Sequence, residues 1–167
     1  MPTDEEITFA DHMGRFYATR YAFPPMVGRL LGYLAVCDPR AQSIGELADA
    51  LLASRSAITG AVKSLETMGL VRRSRAAGER MDRVEIDLGS TQATGMDAAE
   101  YEELRDLAHE GLKVVADAPL ERRAVLLELA AFSEFLLEQI PRMREDWVKR
   151  RAELVAAGEL PEAGWSA

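Results

Sequence analysis

Residues 43–73 read SIGELADALLASRSAITGAVKSLETMGLVRR. Ser43 and Glu46 have the spacing of a capping box, in which the two side chains satisfy free backbone N–H groups at a helix start. Ser54 can cap a second helix, and Gly69 suits the left-handed residue that follows a helix end. The stretch therefore predicts two helices joined by a tight turn, the first of them about three turns long.

The second of these helices has one apolar and one polar face. Its apolar residues recur at helical spacing: Ile58, Ala61, Val62 and Leu65. The opposite face carries Ser56, Thr59, Gly60, Lys63 and Thr67. Small hydrogen-bonding side chains and one lysine suit a major groove roughly 12 Å wide. Gly60 costs about 1 kcal/mol of helix propensity relative to alanine, which indicates close approach either to DNA or to another packed helix.

A basic hairpin follows the second helix. The expected strand, loop and return strand lie at residues 70–73, 74–78 and 81–86. Arg75 and Arg80 lie at the two shoulders of the loop. Between Ser54 and Arg83 there are seven cations against three anions, whereas the whole chain has a net charge of −8. We interpret the hairpin as a wing that contacts the DNA backbone or a narrow minor groove, the alternative being a solvated β-turn.

The rest of the chain is predicted to be helical. Two helices precede the quoted stretch and two long ones follow it, at about residues 3–20, 25–37, 96–117 and 120–155. Pro141 is expected to kink or interrupt the last helix. The fold is mostly α, of the α+β class: a winged helix-turn-helix DNA-binding domain with its N-terminal helices at 1–90, a helical dimerisation region at 91–158 and a flexible tail at 159–167.

The composition excludes several classes of protein. The chain has 167 residues, 48% of them hydrophobic and 29% charged, a globular balance. Its single cysteine, Cys37, rules out an intramolecular disulfide, and no Cys/His spacing indicates a metal site. No apolar run approaches the roughly 18 residues of a membrane span, and the acidic start does not resemble a secretory signal. We expect a cytoplasmic protein without membrane association, cofactor or metal.

Candidates for chemistry are few. No Gly-rich phosphate loop or nucleophile motif is present, so we expect no catalytic residue and no enzyme. His12 and His109 are read as solvated or capping residues. Cys37 is either a peroxide sensor or, as we prefer, an inert buried thiol. Five aromatic residues either form a cage for a cationic effector or, as we prefer, pack in the core: Phe16, Tyr17, Tyr21, Phe23 and Tyr33.

The last helix has more apolar surface than one neighbour can cover. Its large apolar residues between Leu126 and Trp147 wrap around more than one face. A helical hairpin within one chain would bury part of that surface. A homodimer with its two-fold axis near these helices would bury the rest.

Five runs of sequence also carry a family resemblance. They are FPPMVGRLLGYL at 23–34, SIGELA at 43–48, SRSAIT at 54–59, LETMGLVRR at 65–73 and GER at 78–80. Together they resemble the GbsR-like branch of the MarR family of bacterial transcriptional regulators, and the run from Pro24 to Arg29 favours that branch. The resemblance implies a homodimeric winged-helix repressor or activator with Ser56 to Lys63 in the recognition helix and Arg80 in the wing. It also leaves room for a small-molecule effector of unknown identity.

We therefore expect a homodimeric, DNA-binding transcriptional regulator. Its expected partner is double-stranded DNA with a palindromic operator. The expected DNA contacts are Arg55, Ser56, Thr59, Gly60, Lys63, Arg73, Arg75 and Arg80. The alternative is a winged-helix module that binds a protein partner and not DNA.

Overall fold

A computed structural model describes residues 1–75, 81–88 and 96–162. The elements follow in the order α1 Asp4–Tyr21, α2 Pro25–Val36, β1 Gln42–Ser43, α3 Ile44–Ala50, α4 Arg55–Thr67, β2 Val71–Ser74, β3 Arg83–Ile86, α5 Ala98–Val114 and α6 Leu120–Ala156. They belong to two compact units, Met1–Ala93 and Thr94–Ala167. The mostly helical winged-helix fold expected from the sequence is confirmed. Most of the expected wing loop at 74–78 and the end of the expected tail, 163–167, lie outside the described residues.

Helices α1 and α2 approach each other closely because small residues line their contact. A Cβ placed on Gly32 would lie 2.6 Å from Met13 Cβ, and one on Gly28 would lie 2.8 Å from Tyr17 Cβ. Real Cβ atoms essentially never come this close, so only glycine fits at these two positions of α2. The two helix backbones are therefore almost in contact.

Arg29, on α2, links three parts of the first unit. Its Nε donates to the Asp11 carboxylate of α1, and its Nη1 donates to the Leu51 carbonyl oxygen at 2.8 Å. Leu51 begins the turn between α3 and α4, where Leu52 has a φ of 50° and is 93% exposed. A left-handed conformation is uncommon for leucine, so the hydrogen bond from Arg29 supports a turn that is intrinsically strained.

The core of the first unit joins α2 to the helices and strands that follow it. Fully buried side chains come from α2, α3, the turn, α4 and β3: Leu30, Leu47, Leu51, Ile58, Val62, Leu65 and Val84. Each contributes about 1.5–3 kcal/mol when its side chain leaves water. This packing fixes how α4 is rotated about its axis.

The three strands form an antiparallel sheet in the order β1-β3-β2. The predicted hairpin strands are confirmed with their bounds moved by one or two residues. Strand β1, which pairs Gln42 with Val84 and Ser43 with Arg83, was not predicted, because two residues show no alternation. Helix α3 has seven residues and is shorter than the three turns predicted.

The second unit consists of α5 packed against α6, with Ala108, Ala130, Ser133 and Ile140 buried. Pro141, which was expected to kink or interrupt the last helix, does not interrupt it, because it lies inside the continuous 37-residue α6. Proline removes one hydrogen bond to the carbonyl of Leu137. Pro141 is exposed, so water can satisfy that carbonyl without breaking the helix.

We expect Gly32→Ala to lower the free energy of unfolding by about 1–3 kcal/mol, because the added methyl group overpacks the α1–α2 contact. Urea unfolding at a fixed protein concentration measures this. The matched control is Gly60→Ala, the same chemical change in a helix where nothing lies within 4 Å of the new Cβ. It should raise stability by about 0.5–1 kcal/mol through helix propensity. Two variants of equal stability would contradict this account of the helix contact.

Candidate nucleic-acid interface

The sequence around Ser54 positions α4 and leaves its N-terminus open to anions. Ser54 Oγ accepts a hydrogen bond from the backbone N–H of Ala57 at 3.2 Å, so the serine cap predicted from the sequence is present. The first turn of α4 has no acidic residue. The helix dipole and the remaining free N–H groups therefore favour a negatively charged group such as a phosphate at this end.

The polar face predicted for α4 is exposed along its whole length. All five of its members are exposed: Ser56, Thr59, Gly60, Lys63 and Thr67. Ile58 and Val62, on the opposite face, are fully buried. The apolar stripe thus anchors the helix in the core and turns the predicted reading face outward.

The threonine hydroxyl protons on this face are already used within the helix. Thr59 Oγ1 donates to the carbonyl oxygen of Arg55 at 2.8 Å, and Thr67 Oγ1 donates to that of Lys63 at 2.9 Å. Each threonine therefore presents oxygen lone pairs and a methyl group outward. Such a side chain accepts from the amino groups of adenine or cytosine, or contacts the methyl group of thymine.

Gly60 leaves a gap in the middle of the polar face. No heavy atom lies within 4 Å of the position that a Cβ would take. Among the described residues no helix packs at Gly60, so the alternative that this glycine makes room for another helix is not supported. The gap is open to an external surface.

Two cations of α4 have no acidic partner in the described part of the chain, Arg55 and Lys63. Arg55 is the first residue of α4, and its Nη2 lies 3.6 Å from where a Cβ of Gly45 would be. Both side chains are exposed. Their charges are available to phosphate groups.

The arginines of the wing are mostly engaged within the protein. Arg75 Nε donates to Asp82 Oδ1 at 2.7 Å, one step beyond the last strand pair. Arg72 pairs with Glu85 across the strands at 3.1 Å. The hydrogen bond and charge of Arg75 lower the pKa of Asp82, and the same contact raises the pKa of Arg75. These pairs fix the base of the wing.

Two further ion pairs join the wing to the helices. Arg73 donates from Nε and Nη2 to the two carboxylate oxygens of Glu66 on α4, at 2.8 and 3.2 Å. This bidentate contact raises the pKa of Arg73. Arg83 Nη1 lies 3.0 Å from Glu46 Oε2 on α3. The wing is therefore held against both helices of the helix-turn-helix.

The structure brings most of the predicted DNA contacts into one unit. Five lie on α4, namely Arg55, Ser56, Thr59, Gly60 and Lys63, and Arg73 and Arg75 lie in and after β2. Arg80 lies outside the described residues. The sequence did not single out Glu46, Glu66, Asp82 or Glu85 as partners of the basic run. Only the capping box at Glu46 signalled a role for any of these carboxylates.

The cysteine, His109 and the aromatic residues that were considered as functional candidates lie outside the proposed DNA-binding surface. Cys37 is buried, and burial raises the pKa of its thiol, as expected for an inert cysteine. His109 Nε2 lies 3.3 Å from Glu134 Oε1. Four of the five aromatic residues contact one another, but Phe16 and Tyr21 are exposed, so core packing accounts for only part of the set. Among the described residues no cluster of His, Cys, Asp and Glu could hold a metal ion, and no helix could cross a membrane.

The chain matches known families and solved structures over most of its length. Residues 23–80 match a sequence model of the MarR family, and residues 89–152 match one described as an MmpR5-like MarR family transcriptional regulator. The HTH-type transcriptional regulator MmpR5 of Mycobacterium tuberculosis is 36% identical over 122 residues, which cover 72% of this chain and 73% of that protein.

Two solved structures are similar as well. A crystal structure described as a transcriptional regulator has 30% identity and a TM-score of 0.77, and the match covers 87% of this chain and 99% of that one. Sco3205, a MarR family regulator from Streptomyces coelicolor solved in complex with DNA, is 22% identical with a TM-score of 0.40, and the match covers 96% and 90% of the two chains. On the sequence matches and the first of these structures, the chain belongs to the MarR family of DNA-binding transcriptional regulators and not to a family of enzymes.

Proposed function

We propose that the chain regulates transcription as a homodimer that places α4 of each protomer in a major groove and each wing on the flanking DNA. The observation that carries this proposal is the outer face of α4. It is polar, free of acidic side chains in its first turn, and unobstructed at Gly60. A protein-binding module without DNA affinity would not need that combination with two unpaired cations.

The proposed contacts divide into two groups. Ser56, Thr59 and Gly60 form the part of the face that meets base edges, because their side chains are short and let the helix backbone come close. Arg55 and Lys63 meet phosphates at the rim of the groove. These contacts set sequence preference and electrostatic affinity, respectively.

The wing arginines are proposed to contact the DNA backbone with the atoms that their ion pairs leave unused. Arg73 binds Glu66 through Nε and Nη2, so its Nη1 remains available. Arg75 binds Asp82 through Nε, which leaves both Nη groups. We include Arg80 as the third wing contact. The carboxylates hold two of these arginines in position and reduce the net positive charge of the wing.

The exposed apolar side chains of α6 support the homodimer. Phe132 and Phe135 are 58% and 53% exposed, and their ring centroids lie 6.5 Å apart. Val125 and Met143 are also exposed along the helix. An apolar row of this length on a protein surface marks an interaction site. A second copy of the chain would cover it symmetrically, and a symmetric dimer favours a palindromic operator.

Three finer points belong to the same proposal. The run from Pro24 to Arg29 favours the GbsR-like branch of the family, whereas the match over residues 89–152 is to an MmpR5-like regulator. A DNA-binding role favours a cytoplasmic location. A small-molecule effector would modulate the binding of DNA.

Gly60→Ala should separate folding from DNA binding. We expect the variant to be at least as stable as the wild type, yet to lose about 1–3 kcal/mol of binding free energy on an operator fragment selected from random duplex DNA, because the new methyl group enters the gap that the DNA fills. Fluorescence anisotropy measures the affinity and urea unfolding the stability. Unchanged affinity for the operator would place the groove-facing surface elsewhere.

Thr59→Ala and Arg80→Ala should weaken binding in different ways. Removing Thr59 should cost roughly 1–3 kcal/mol on the selected operator and relax the preference at one base position, with little effect on random DNA. Removing Arg80 should weaken binding to both DNAs and make the salt slope shallower by about one unit. If both variants shift specific and random binding in the same proportion, the proposed division between groove and backbone is wrong.

Phe132→Ser tests the dimer. In analytical ultracentrifugation at micromolar concentration, the wild type should have twice the chain mass of 18.4 kDa. The variant should dissociate into monomers at concentrations where the wild type remains a dimer. The substitution should change the stability of the monomer little, because Phe132 is exposed in the single chain. Glu145→Gln, an exposed change on the same helix but away from the apolar row, is the control. A wild-type protein that sediments as a monomer at this concentration would contradict the proposal.

A further inference from the structure

The first unit contains a cavity of about 560 Å³ that the DNA contacts leave unused. It is lined by the N-terminal part of α1, the C-terminal part of α2, the segment that follows α2, and α3. Its size falls within the range of about 300–1,000 Å³ that is typical of small-molecule sites. None of the residues proposed to contact DNA lines it.

The lining of the cavity is strongly acidic. It includes no lysine or arginine, and against the amino group of Met1 it has four carboxylates: Glu6, Asp38, Glu46 and Asp49. Among the described residues the side-chain carboxylates of Asp38 and Asp49 have no hydrogen-bond or ion-pair partner. Glu6 Oε2 accepts from the backbone of Thr3, so its other oxygen remains available. A cation in this cavity would meet unpaired negative charge from several sides.

Two buried side chains that line the same cavity each have an oxygen atom without a partner. Tyr33 is only 5% exposed, and its hydroxyl makes no hydrogen bond within the described residues. Burial, with smaller effects from Cys37, Glu6 and Glu46, raises the pKa of this phenol. Gln42 is also 5% exposed, and while its Nε2 donates to the Pro39 carbonyl oxygen at 2.6 Å, its Oε1 has no partner in the same residues. Neither oxygen is fully enclosed by protein, so both are open to a group that enters the cavity.

The chemistry of the lining selects the class of ligand. The unsatisfied groups are carboxylate, amide and phenol oxygens, all of which can accept hydrogen bonds. In the described residues these carboxylates do not gather closely enough to hold a metal ion. They come from three different segments, and one compact ion cannot reach three of them at once. An elongated cation with several N–H donors can.

We propose that this cavity binds a linear polyamine. Its ammonium groups lie against the carboxylates, with the Tyr33 hydroxyl and Gln42 Oε1 as further acceptors. Its methylene groups pack on Pro39 and Ala50, which also line the cavity.

The cavity is connected to the DNA-binding elements through Glu46. Glu46 Oε2 accepts from the Ser43 backbone N–H at 2.7 Å and from Arg83 Nη1 of β3 at 3.0 Å. A polyamine on Glu46 competes with Arg83 for this carboxylate and thereby changes how α3 holds the wing. This second step rests on the proposed function, whereas binding itself does not.

Isothermal titration calorimetry with spermidine at constant ionic strength tests the binding step. We expect one saturable site per protomer in the full chain without DNA. Tyr33→Phe and Asp49→Asn should each weaken the affinity at least fivefold. Asp49 is exposed, so its variant keeps the fold. Glu103→Gln makes a matched charge change on the exposed face of α5 and should stay within twofold of the wild type.

Other outcomes would overturn the binding site. Absence of saturable binding would do so, as would equal losses in Asp49→Asn and Glu103→Gln, which would indicate condensation of cations on an acidic protein. Unaltered affinity in Tyr33→Phe would show that the buried phenol takes no part. Displacement of spermidine by an equal concentration of Mg²⁺ would point to an ion site.

The connection to DNA needs its own comparison, because polyamines also bind DNA. The change in operator affinity caused by spermidine is therefore measured in the wild type and in Tyr33→Phe, where the effect on the DNA itself is the same. We expect a shift at least threefold larger in the wild type. Equal shifts would overturn the connection through Glu46 and leave the calorimetric result standing. If the wild type binds no operator DNA in the absence of spermidine, that result contradicts the proposed function and leaves the polyamine site untouched.

Discussion

The close contact between α1 and α2 at Gly28 and Gly32 is the constraint on which the position of α4, with the proposed DNA-facing surface, depends. With one side of α2 fixed in this way, its other side presents leucines to α4 and β3. Arg29 adds a polar link from the same helix to the turn before α4. A shift of α1 against α2 would therefore move the turn and α4 together.

An acidic chain can present a DNA-binding surface because its charges are distributed unevenly and because some of its cations are paired. The wing holds several arginines, yet Arg72, Arg73 and Arg75 each have a carboxylate partner. Exposed ion pairs add little stability individually, but their geometry restricts where the guanidinium groups point. The unpaired charges of Arg55 and Lys63 then provide electrostatic attraction on α4. The pairing makes the wing a positioned surface of hydrogen-bond donors more than a region of high positive charge.

The sequence predicts what depends on neighbours along the chain and misses what depends on distant ones. The Ser43–Glu46 capping box, the Ser54 cap and the left-handed Gly69 form as expected, because each involves residues within a few positions. The exposed face of α4 follows from its periodicity. Strand β1 and the Arg83–Glu46 pair join segments about 40 residues apart, and no local pattern encodes them. The sequence pattern also did not predict that the hydroxyls of Thr59 and Thr67 donate to backbone carbonyls within α4. These bonds leave only lone pairs and a methyl group on each side chain for contact with a base.

Glu46 shows how one local signal can hide a second role. As a capping residue it stabilises the start of α3, and as the partner of Arg83 it connects that helix to β3. The hydrogen bonds from Ser43, followed by the effect of Arg83, lower the pKa of Glu46. A carboxyl group with a lowered pKa contributes stability above its unfolded pKa and loses that contribution only as the pH falls through the lower folded value. Near neutral pH the carboxylate therefore stays ionised. Protonation does not release the wing from α3 in that range, so a change in this connection requires a competing cation.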